Sequence, residues 1–337
     1  MLQAAIRQIE VHFPESVLDN QALSLLFEDW TAEKIQQKTG IRQRHVAGPG
    51  ECASDLATAA CAKVLEGGLV SAQDIDFLLL CTQSPDYLLP TTACLVQDRL
   101  GLPTTCGALD FNLGCSGFVY GLGLAKGLVE TGQARNVLLV TAETYSRHIH
   151  PQDRSVRTLF GDAAAAVLVS AVPASAPAIG PFLYGTDGKG AGNLMVPTGG
   201  MRRARVAEAE EMTDENGNVR TINNLYMNGA EIFSFTLRSI PPLVKGLLEK
   251  AGTTMEQVDL FVFHQANEFM LEALRKKIGI PKEKLPVCMA DCGNTVSSTI
   301  PIALKTLEQE GRLVRGMQLM LVGFGVGYSW GATMVRY

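Results

Sequence analysis

The sequence predicts an α/β protein made of two copies of one layered unit. The chain has 337 residues, which is too long for one ordinary hydrophobic core and suits two units or one large double one. Residues 65–84 align without a gap with residues 248–267. Residues 170–181, rich in proline, alanine and serine, lie between the copies and are typical of a linker. These observations predict an N-terminal half at 1–172 and a C-terminal half at 173–337.

Each copy of the repeat has the pattern of a helix end, an acidic turn and a buried strand. Leu65 falls opposite Leu248, and Asp76 falls opposite Asp259. A continuous apolar run follows each aspartate, residues 77–80 in the first copy. A short apolar run bounded by polar residues is typical of a strand in a sheet that is covered on both faces. Each half is therefore expected to be a sheet with helices packed on it.

The similarity continues downstream of these strands and reaches three polar side chains. The matched segments are 95–103 with 274–281 and 128–140 with 307–322. Between them, Cys115 falls opposite Asn294. Cys115 and His264 each come at the end of a predicted strand, and functional side chains of open α/β sheets gather at the carboxyl ends of strands. The duplicated plan therefore predicts that Cys115, His264 and Asn294 converge.

The composition describes a globular protein with a large interior, since 47% of the residues are hydrophobic and 19% are charged. The formal net charge of −5 gives no support to nucleic-acid binding. No apolar run approaches the roughly 18 residues that span a membrane. The N-terminus lacks the features of a signal peptide. We expect a cytoplasmic protein whose 8 cysteines are free thiols, because they form neither a CxxC pair nor a zinc-binding pattern.

Cys115 lies in the segment GCSG, between a predicted strand and a predicted helix. The apolar spacing predicts a buried helix from Ser116 to near Gly132. A thiol at a helix N-terminus meets unpaired N–H groups and the positive end of the helix dipole, and both favour the thiolate. Two interpretations stay open at this point: a nucleophile, or a cysteine packed at a close contact between helix and strand.

Two further residues have a chemical and a structural interpretation. His264 is the histidine that follows a strongly apolar strand, where a neutral imidazole can form one strong hydrogen bond. A hydrogen-bonded core histidine is the commoner case. Asn294 lies in a polar turn that opens an apolar helix, where helix capping is the simpler role. The glycine-rich segment 321–332 has no GxGxxG pattern, but it can bring backbone N–H groups close to a bound oxygen, as an oxyanion hole requires.

Six segments together resemble the condensing enzymes of the thiolase superfamily, and most closely the β-ketoacyl-(acyl-carrier-protein) synthase III group. The segments are TGIRQRHVA (39–47), NLGCSGFVYGL (112–122), DRSVRTLFGDAAAAVL (153–168), FHQAN (263–267), GNTVSSTIPIAL (293–304) and GFGVGYSWG (323–331). The resemblance covers essentially the whole chain and implies a thiolase-like, five-layered αβαβα fold built from two duplicated halves. It implies the catalytic set Cys115, His264 and Asn294. No cysteine stands in 323–331, which argues against a thiolase.

The resemblance implies a two-stage reaction with no metal or redox cofactor. Cys115 takes an acyl group from acyl-CoA, which is a substrate rather than a cofactor. A malonyl group on acyl carrier protein then loses carbon dioxide while His264 and Asn294 bind its thioester oxygen. Backbone N–H groups of Cys115 and Val326 hold the oxygen of the tetrahedral intermediate. The product is a 3-oxoacyl-acyl carrier protein of fatty-acid or specialised-metabolite biosynthesis.

Other positions carry over from the family with departures. Arg154 matches an arginine beside the CoA adenine. Lys34 replaces the tryptophan that stacks on this adenine, and Trp30 lies four residues away. Phe324 matches an aromatic residue near the catalytic histidine. Leu89 matches the residue that crosses a dimer interface to close the acyl pocket, which implies a homodimer. Since leucine is smaller than the usual phenylalanine, we expect a primer other than acetyl.

The expected carrier-protein surface also departs from the family. Lys276 and Lys277 match a basic pair that suits an acidic carrier protein, although a solvated helix face explains them equally well. Phe269 stands where the family has a docking arginine. Residues 205–224 are acidic and polar, which predicts a surface excursion near the mouth of the active site.

Three other functions fit parts of the pattern. A papain-like hydrolase also uses Cys, His and Asn in that order, but this chain has no Cys-Trp signature and has a duplicated plan. An acyltransferase of the same fold passes the acyl group from Cys115 to an oxygen or nitrogen acceptor without decarboxylation. A non-enzymatic scaffold subunit is expected to have lost part of the Cys, His and Asn set, which is intact here.

Overall fold

The computed structural model describes residues 2–27, 30–173 and 178–337. The strands are Leu2–His12 (β1), Val17–Asp19 (β2), Gln43–His45 (β3), Phe77–Cys81 (β4), Gly107–Phe111 (β5), Asn136–Glu143 (β6), Ala163–Pro173 (β7), Ile179–Thr186 (β8), Leu194–Met195 (β9), Met212–Thr213 (β10), Val219–Arg220 (β11), Tyr226–Met227 (β12), Leu260–Phe263 (β13), Gln318–Gly325 (β14) and Ser329–Arg336 (β15). The helices are Asn20–Leu26 (α1), Ala32–Thr39 (α2), Ala53–Glu66 (α3), Thr92–Arg99 (α4), Gly117–Glu130 (α5), Arg154–Arg157 (α6), Gly229–Ala251 (α7), Glu268–Ile278 (α8) and Thr299–Gln309 (α9). Short 3₁₀ turns include Val296–Ser298, just before α9.

Two sheets have the same strand order. The first is β1-β7-β6-β4-β5, and the second is β8-β15-β14-β13. In the first sheet β4 pairs in parallel with β5 and β6, and in the second β13 pairs in parallel with β14. β7 pairs antiparallel with β1 and β6, and β15 pairs antiparallel with β8 and β14. The duplication predicted from the sequence repeat is therefore confirmed, although within the described residues the second sheet has no strand at the position of β5.

The helices form three layers around the two sheets. Phe118 of α5 and Ile300 of α9 are fully buried in one core that includes residues of both sheets, so α5 and α9 form the middle layer. Leu56 of α3 and Val96 of α4 belong to a core on the outer face of the first sheet. Helices α7 and α8 contribute to a core on the outer face of the second sheet. The layers follow the order αβαβα, as the sequence predicts.

The linker expected at 170–181 is largely strand. β7 continues to Pro173 and β8 begins at Ile179, while residues 174–177 lie outside the described residues. Ala171 pairs with Ala4 of β1, and this pairing overrides the alanine-rich and proline-rich composition. The division of the chain into halves at 172 and 173 stays a prediction.

The parallel strands determine where polar side chains meet. The carboxyl ends of β4, β5 and β6 lie at one edge of the first sheet, and those of β13 and β14 lie at one edge of the second. The turns that follow β5 and β13 carry Cys115 and His264. No helix in the described part of the chain is long and apolar enough to cross a bilayer.

Candidate active site

One small cavity brings together the three side chains that the sequence singles out. Cys115, His264 and Asn294 all line a cavity of about 80 Å³. They are 6%, 2% and 5% exposed, so the reacting groups are shielded from bulk water. The rest of the wall is mostly apolar and includes Phe160, Leu194, Met227, Ile232, Met270 and Phe324. Because the three polar groups are buried in a mostly apolar cavity, the electrostatic interactions among them are stronger than in water.

Cys115 lies at the turn into α5, in close contact with the glycines of β14. A Cβ atom at Gly325 would lie 2.8 Å from the Cys115 Cβ and 3.0 Å from its Sγ. A Cβ atom at Gly323 would lie 2.9 Å from the Cys115 carbonyl oxygen. These separations require glycine, which explains the glycine-rich segment of β14 by close approach to the nucleophile. Val326 lies beside the same turn, because its Cγ1 would be 3.0 Å from a Cβ atom at Gly114.

The thiol of Cys115 is harder to ionise than its place at a helix terminus suggests. Burial and, to a smaller extent, the charge of Glu143 together raise the pKa of Cys115 to about 12, against a backbone hydrogen bond that lowers it. The expectation that the helix N-terminus favours the thiolate is therefore outweighed, because removing the thiolate from water costs more than the N–H groups return. The Cys115 thiol is therefore neutral at ordinary pH, and it would have to lose its proton to act as a nucleophile.

His264 is a neutral imidazole whose Nδ1 contacts a hydroxyl group. Burial lowers the pKa of His264 to about 3. Its Nδ1 lies 2.7 Å from Thr299 Oγ1, which also lies 3.2 Å from the Val296 carbonyl oxygen. The hydroxyl can accept from Nδ1–H while it donates to Val296, or it can donate to Nδ1. Thr299 therefore supports both neutral tautomers of His264, so that Nε2 can act as an acceptor or as a donor.

The ring of Phe324 meets the His264 ring edge-on, with 5.5 Å between the ring centroids and an angle of 85° between the planes. This is the place beside the histidine that the resemblance implies for Phe324. The contact orients the imidazole from the side of β14 and adds to the apolar surroundings that keep it neutral.

Asn294 is held by the backbone of the first half. Its N–H donates to the Leu159 carbonyl at 2.9 Å, and its carbonyl accepts from Gly161 N at 3.0 Å. The side-chain Oδ1 accepts from Val296 N at 3.0 Å, and Nδ2 makes a long contact of 3.4 Å with the Ala266 carbonyl. Helix α9 is preceded by Ser298 as its N-cap, so Asn294 does not cap this helix. The second hydrogen of Nδ2 can be donated to an oxygen in the cavity.

Trp30 is surrounded by three cationic side chains. The guanidinium carbon of Arg154 lies 5.7 Å from the centroid of the Trp30 ring, and the Nζ atoms of Lys34 and Lys38 lie 5.8 Å and 5.0 Å from it. The sequence interpretation places Lys34 in the position of an aromatic residue. The structure shows an aromatic ring just before α2 begins, beside both Lys34 of α2 and Arg154 of α6.

The acidic excursion at 205–224 packs against α6. It contains the short hairpin of β10 and β11, and the Asn216 carbonyl accepts a hydrogen bond from Arg154 Nη2. Arg220 Nη1 lies 3.3 Å from Asp214 Oδ2 and 3.7 Å from Asp153 Oδ2. The excursion therefore reaches the cationic side chains around Trp30.

The other residues predicted to bind substrate or partner lie on the surface. Lys276 and Lys277 are exposed in the last turn of α8, where Lys276 Nζ lies 3.3 Å from Glu272 Oε1. Phe269 is 66% exposed and stacks on Phe233, with 5.4 Å between the centroids. Leu89 is 81% exposed, so within a single chain it closes no pocket.

The sequence interpretation does not identify two buried residues near the site, Thr299 and Glu143. Thr299 lies inside a quoted motif, but nothing in the sequence separates it from the neighbouring hydroxyl residues. Glu143 ends the apolar strand β6 and is completely buried. An acidic residue at the end of a continuous apolar run is a signal that identifies Glu143 as a candidate.

Family comparison matches both halves of the chain. The family described as 3-oxoacyl-[acyl-carrier-protein (ACP)] synthase III matches residues 109–188. The family described as 3-oxoacyl-[acyl-carrier-protein (ACP)] synthase III C terminal matches residues 248–337. The first range includes Cys115, and the second includes His264 and Asn294.

Individual relatives match along nearly the whole chain. The beta-ketoacyl-[acyl-carrier-protein] synthase III of Clostridioides difficile (strain 630) is 37% identical over 335 residues, covering 99% of this chain and 98% of its own. A solved structure of 3-oxoacyl-(acyl-carrier-protein) synthase III is 57% identical with a TM-score of 0.98, covering 99% of this chain and 100% of its own. The 3-oxoacyl-(acyl-carrier protein) synthase of Burkholderia xenovorans LB400 is 38% identical with a TM-score of 0.91, covering 99% and 93%.

Proposed function

The chain belongs to the 3-oxoacyl-(acyl-carrier-protein) synthase III family, and from this premise we propose that it condenses an acyl primer with a malonyl group, with loss of carbon dioxide. The acyl donor is acyl-CoA, the malonyl carrier is acyl carrier protein, and the product is a 3-oxoacyl-acyl carrier protein. The observation that supports this function is the shared cavity of Cys115, His264 and Asn294. A thiol, a neutral imidazole and a carboxamide in one mostly apolar cavity can perform acyl transfer and decarboxylation in turn.

In the first stage the Cys115 sulfur attacks the carbonyl carbon of the acyl-CoA thioester. The thiol proton passes to Nε2 of His264, which is available because the imidazole is neutral and its Nδ1–H donates to Thr299. A bond between carbon and the Cys115 sulfur forms, and the bond to the CoA sulfur breaks. The leaving CoA thiolate takes the proton from His264, so the imidazole is neutral again and Cys115 is acylated.

In the second stage His264 acts as a hydrogen-bond donor in its other neutral tautomer, in which Thr299 donates to Nδ1. Between the stages Nδ1 gives its proton to water and Nε2 takes one from water. Nε2–H of His264 and Nδ2–H of Asn294 donate to the thioester oxygen of the malonyl group, where negative charge develops. The bond between the malonyl α-carbon and its carboxylate breaks, and carbon dioxide leaves. The resulting carbanion attacks the acyl carbonyl on Cys115 and a carbon–carbon bond forms. The Cys115 sulfur then leaves as a thiolate and takes a proton from water. The apolar wall favours loss of the charged carboxylate as neutral carbon dioxide.

The tetrahedral oxygen is formed at the acyl carbonyl on Cys115. We assign the backbone N–H groups of Cys115 and Val326 to this oxygen. Support comes from the close packing of the 323–326 segment on the nucleophile turn, where Gly325 lets its backbone approach the sulfur. Two backbone donors aimed at one oxygen are typical of an oxyanion hole, and each contributes about 3 kcal/mol to lowering the barrier.

The nucleotide end of acyl-CoA is assigned to the side chains around Trp30. The indole ring can stack on the adenine, and Arg154, Lys34 and Lys38 supply positive charge for the phosphates. Because decarboxylation supplies the carbanion and Cys115 carries the acyl group, the reaction needs no resident metal or redox cofactor. Acyl-CoA enters only as a substrate.

A second copy of the chain is expected to complete the acyl pocket. Tyr87, Leu88 and Leu89 are 60%, 78% and 81% exposed in consecutive positions, and β5 leaves one edge of the first sheet unpaired in the single chain. Exposed apolar side chains next to an open sheet edge favour pairing with another chain. In the homodimer Leu89 would enter the partner's pocket and set the length of the primer.

The acyl carrier protein is expected to bind near Lys276 and Lys277, whose positive charge suits an acidic partner. Both lysines lie on α8, whose first turn includes Met270 of the cavity wall. We place the enzyme in the cytoplasm, where acyl-CoA and carrier protein are both present.

The test begins with the mass of the intact protein after incubation with acyl-CoA thioesters of increasing chain length. We expect a mass gain of one acyl group that is absent in Cys115→Ala and retained in Cys292→Ala, which removes another buried thiol. Release of carbon dioxide from malonyl-acyl carrier protein is then measured together with the 3-oxoacyl product. Acylation that persists in Cys115→Ala contradicts the covalent stage. Acyl transfer to another acceptor without carbon dioxide contradicts the condensation.

A further inference from the structure

Glu143 is a buried carboxyl group that the two-stage reaction does not use. It is the last residue of β6, the middle strand of the first sheet, and its side chain is completely buried. Because β6 is parallel to β4, its carboxyl end lies at the sheet edge where Cys81 ends β4. Burying an ionised carboxylate is costly unless opposite charges or hydrogen bonds compensate, so its place beside the nucleophile needs a reason.

One oxygen of the Glu143 carboxyl group holds the loop beneath the nucleophile. Oε2 accepts from Gln83 N at 3.0 Å and from Ser84 Oγ at 3.2 Å. The Gln83 side chain packs directly on the nucleophile turn, because a Cβ atom at Gly114 would lie 2.6 Å from Gln83 Oε1. A displacement of loop 82–84 would therefore disturb the packing of Gln83 on the turn that carries Cys115.

The other oxygen contacts the turn that follows Asn294. Oε1 of Glu143 lies 2.8 Å from Ser297 Oγ. The neighbouring Ser298 Oγ lies 2.8 Å from Thr141 Oγ1, two residues before Glu143 on the same strand. The end of β6 thus joins the loop that supports the thiol in the first half to the turn that follows the carboxamide in the second half.

These contacts let the carboxyl group be neutral without rearrangement. The Gln83 N–H can only donate, and it meets Oε2. The Ser297 hydroxyl can accept as well as donate, so a proton on Oε1 can be given to Ser297 Oγ. Both oxygens keep their partners when the group is protonated.

The surroundings of Glu143 favour the neutral form. Burial raises the pKa of Glu143 to about 8, and Asp162 also raises it, whereas the hydrogen bonds from residues 83, 84 and 297 lower it. The other titratable groups that interact with Glu143 are Cys81, Cys115 and Tyr145, and the negative charge of Glu143 raises the pKa of each. A charge on Glu143 therefore opposes a charge on Cys115.

We propose that Glu143 is a positioning residue that works as a neutral carboxylic acid: it ties loop 82–84 to the turn at 296–298, and its ionisation makes the loss of the Cys115 proton harder. The inference rests on the proposed role of Cys115 as the nucleophile. It adds a control on the reactivity of that thiol, since like charges in a buried site repel each other strongly.

The first experiment measures the alkylation of Cys115 by iodoacetamide across a range of pH, with the modified peptide identified by mass. Glu143→Gln keeps the size of the side chain and removes its charge. We expect the pH midpoint of alkylation to fall by about one unit or more relative to the wild type. Asp162→Asn is the matched control, because it removes a buried carboxyl group bound to Ala47 and Ser146 instead, and it should not lower the midpoint. An unchanged midpoint in Glu143→Gln overturns the proposal.

The second experiment measures the free energy of unfolding against pH in the wild type and in Glu143→Gln. A carboxyl group that is neutral in the fold and ionised in the unfolded chain binds more protons when folded. Its contribution to stability is then fully present below about pH 4.5 and is lost as the pH rises to about 8. We expect the wild type to lose stability relative to Glu143→Gln over this window. Parallel curves mean that Glu143 is ionised in the fold and overturn the proposal.

If Glu143→Gln does not fold, the wild type alone decides the question. Infrared spectroscopy at neutral pH should show the carbonyl band of a protonated buried carboxyl group, and this band should disappear as the pH rises past about 8. Its absence at neutral pH overturns the proposal. None of these measurements uses a thioester, so a failure of acylation by acyl-CoA contradicts the proposed function alone.

Discussion

The two halves of the molecule share a strand order, but they deliver different groups to the cavity. In the first half α5 begins at Gly117, two residues after Cys115, so the thiol lies at the start of a helix. In the second half a 3₁₀ turn at 296–298 separates Asn294 from α9, which begins at Thr299. The duplicated backbone places both Cys115 and Asn294 at one cavity. The added turn separates the Asn294 carboxamide from the start of α9.

The added turn gives the second half contacts that the first half lacks. It brings Thr299 to Nδ1 of His264, Ser297 to Glu143 and Ser298 to Thr141. Two of these three contacts cross between the halves. The duplicated fold therefore explains why Cys115 and Asn294 lie at the same cavity. The added turn, which the first half lacks, provides the hydrogen bonds that orient His264 and hold Glu143.

Removing the Asn294 carboxamide is expected to have the largest effect, because it should slow decarboxylation while leaving acylation of Cys115 nearly unchanged. In Asn294→Ala the thioester oxygen of the malonyl group loses one donor, so we expect decarboxylation to slow by about 10²- to 10³-fold. Acylation of Cys115 by acyl-CoA should stay within a few-fold of the wild type, because Asn294 acts in the second stage. Carbon dioxide release and the mass of the acyl-enzyme measure the two stages. Equal losses in both would contradict the division of work between the halves.

The neutral state of His264 predicts a pH dependence of stability. Burial depresses the pKa of His264 to about 3, so between about pH 3 and pH 6.5 the unfolded chain binds the proton and the fold does not. Stability from this group is therefore present above about pH 6.5 and is lost as the pH falls towards 3. Relative to His264→Gln, the wild type should lose about 5 kcal/mol of unfolding free energy across this window. Chemical denaturation at several pH values measures it, and curves of equal slope would mean that His264 is charged in the fold.

The hydroxyl of Thr299 offers a finer test of the added turn. Thr299→Val keeps the shape of the side chain but can neither accept from nor donate to Nδ1, so we expect a loss of about tenfold in kcat for condensation. Thr299→Ser restores the hydroxyl and should recover most of the rate. Steady-state kinetics of both variants measure the effect. If Thr299→Val is as fast as the wild type, or if Thr299→Ser is as slow as Thr299→Val, the hydroxyl does not have the assigned role.

The smallest expected effect concerns the exposed loop of the first half. Leu89→Phe should shift the preference towards shorter primers by a few-fold, because in the proposed homodimer a larger side chain would fill more of the partner's pocket. The ratio of kcat/KM for a short and a long acyl-CoA measures the shift, and Leu88→Phe on the same loop is the matched control. An equal shift in both variants would show a general effect of loop bulk rather than a specific role of Leu89.

Sequence patterns predict the fold because two separate segments of the chain show the same pattern, and each supports the interpretation of the other. The aligned segments at 65–84 and 248–267 contain β4 and β13, which occupy matching places in the two sheets. Cys115 and His264 were predictable for the same reason, since each follows a strand whose carboxyl end faces the site. Asn294 was predictable from its alignment with Cys115.

Other features depend on three-dimensional surroundings that spacing does not encode. The direction of the Cys115 pKa shift depends on burial, which competes with the helix terminus and exceeds it. Residues 171–173 have the composition of a linker, but pairing with β1 makes them a strand. Trp30 precedes α2 and is far from Arg154 in sequence, so only the folded structure shows that the two side chains are in contact. Thr299 acts through one contact with His264 that no sequence period marks.

The middle layer has a consequence for the integrity of the whole chain. Because α5 and α9 bury their side chains in one core that both sheets share, neither half has a complete hydrophobic core of its own. A fragment cut between the halves would expose one whole face of its sheet to water. The enzyme has a length typical of two domains, but it is expected to unfold in a single cooperative transition. The two duplicated halves are not expected to unfold independently of each other.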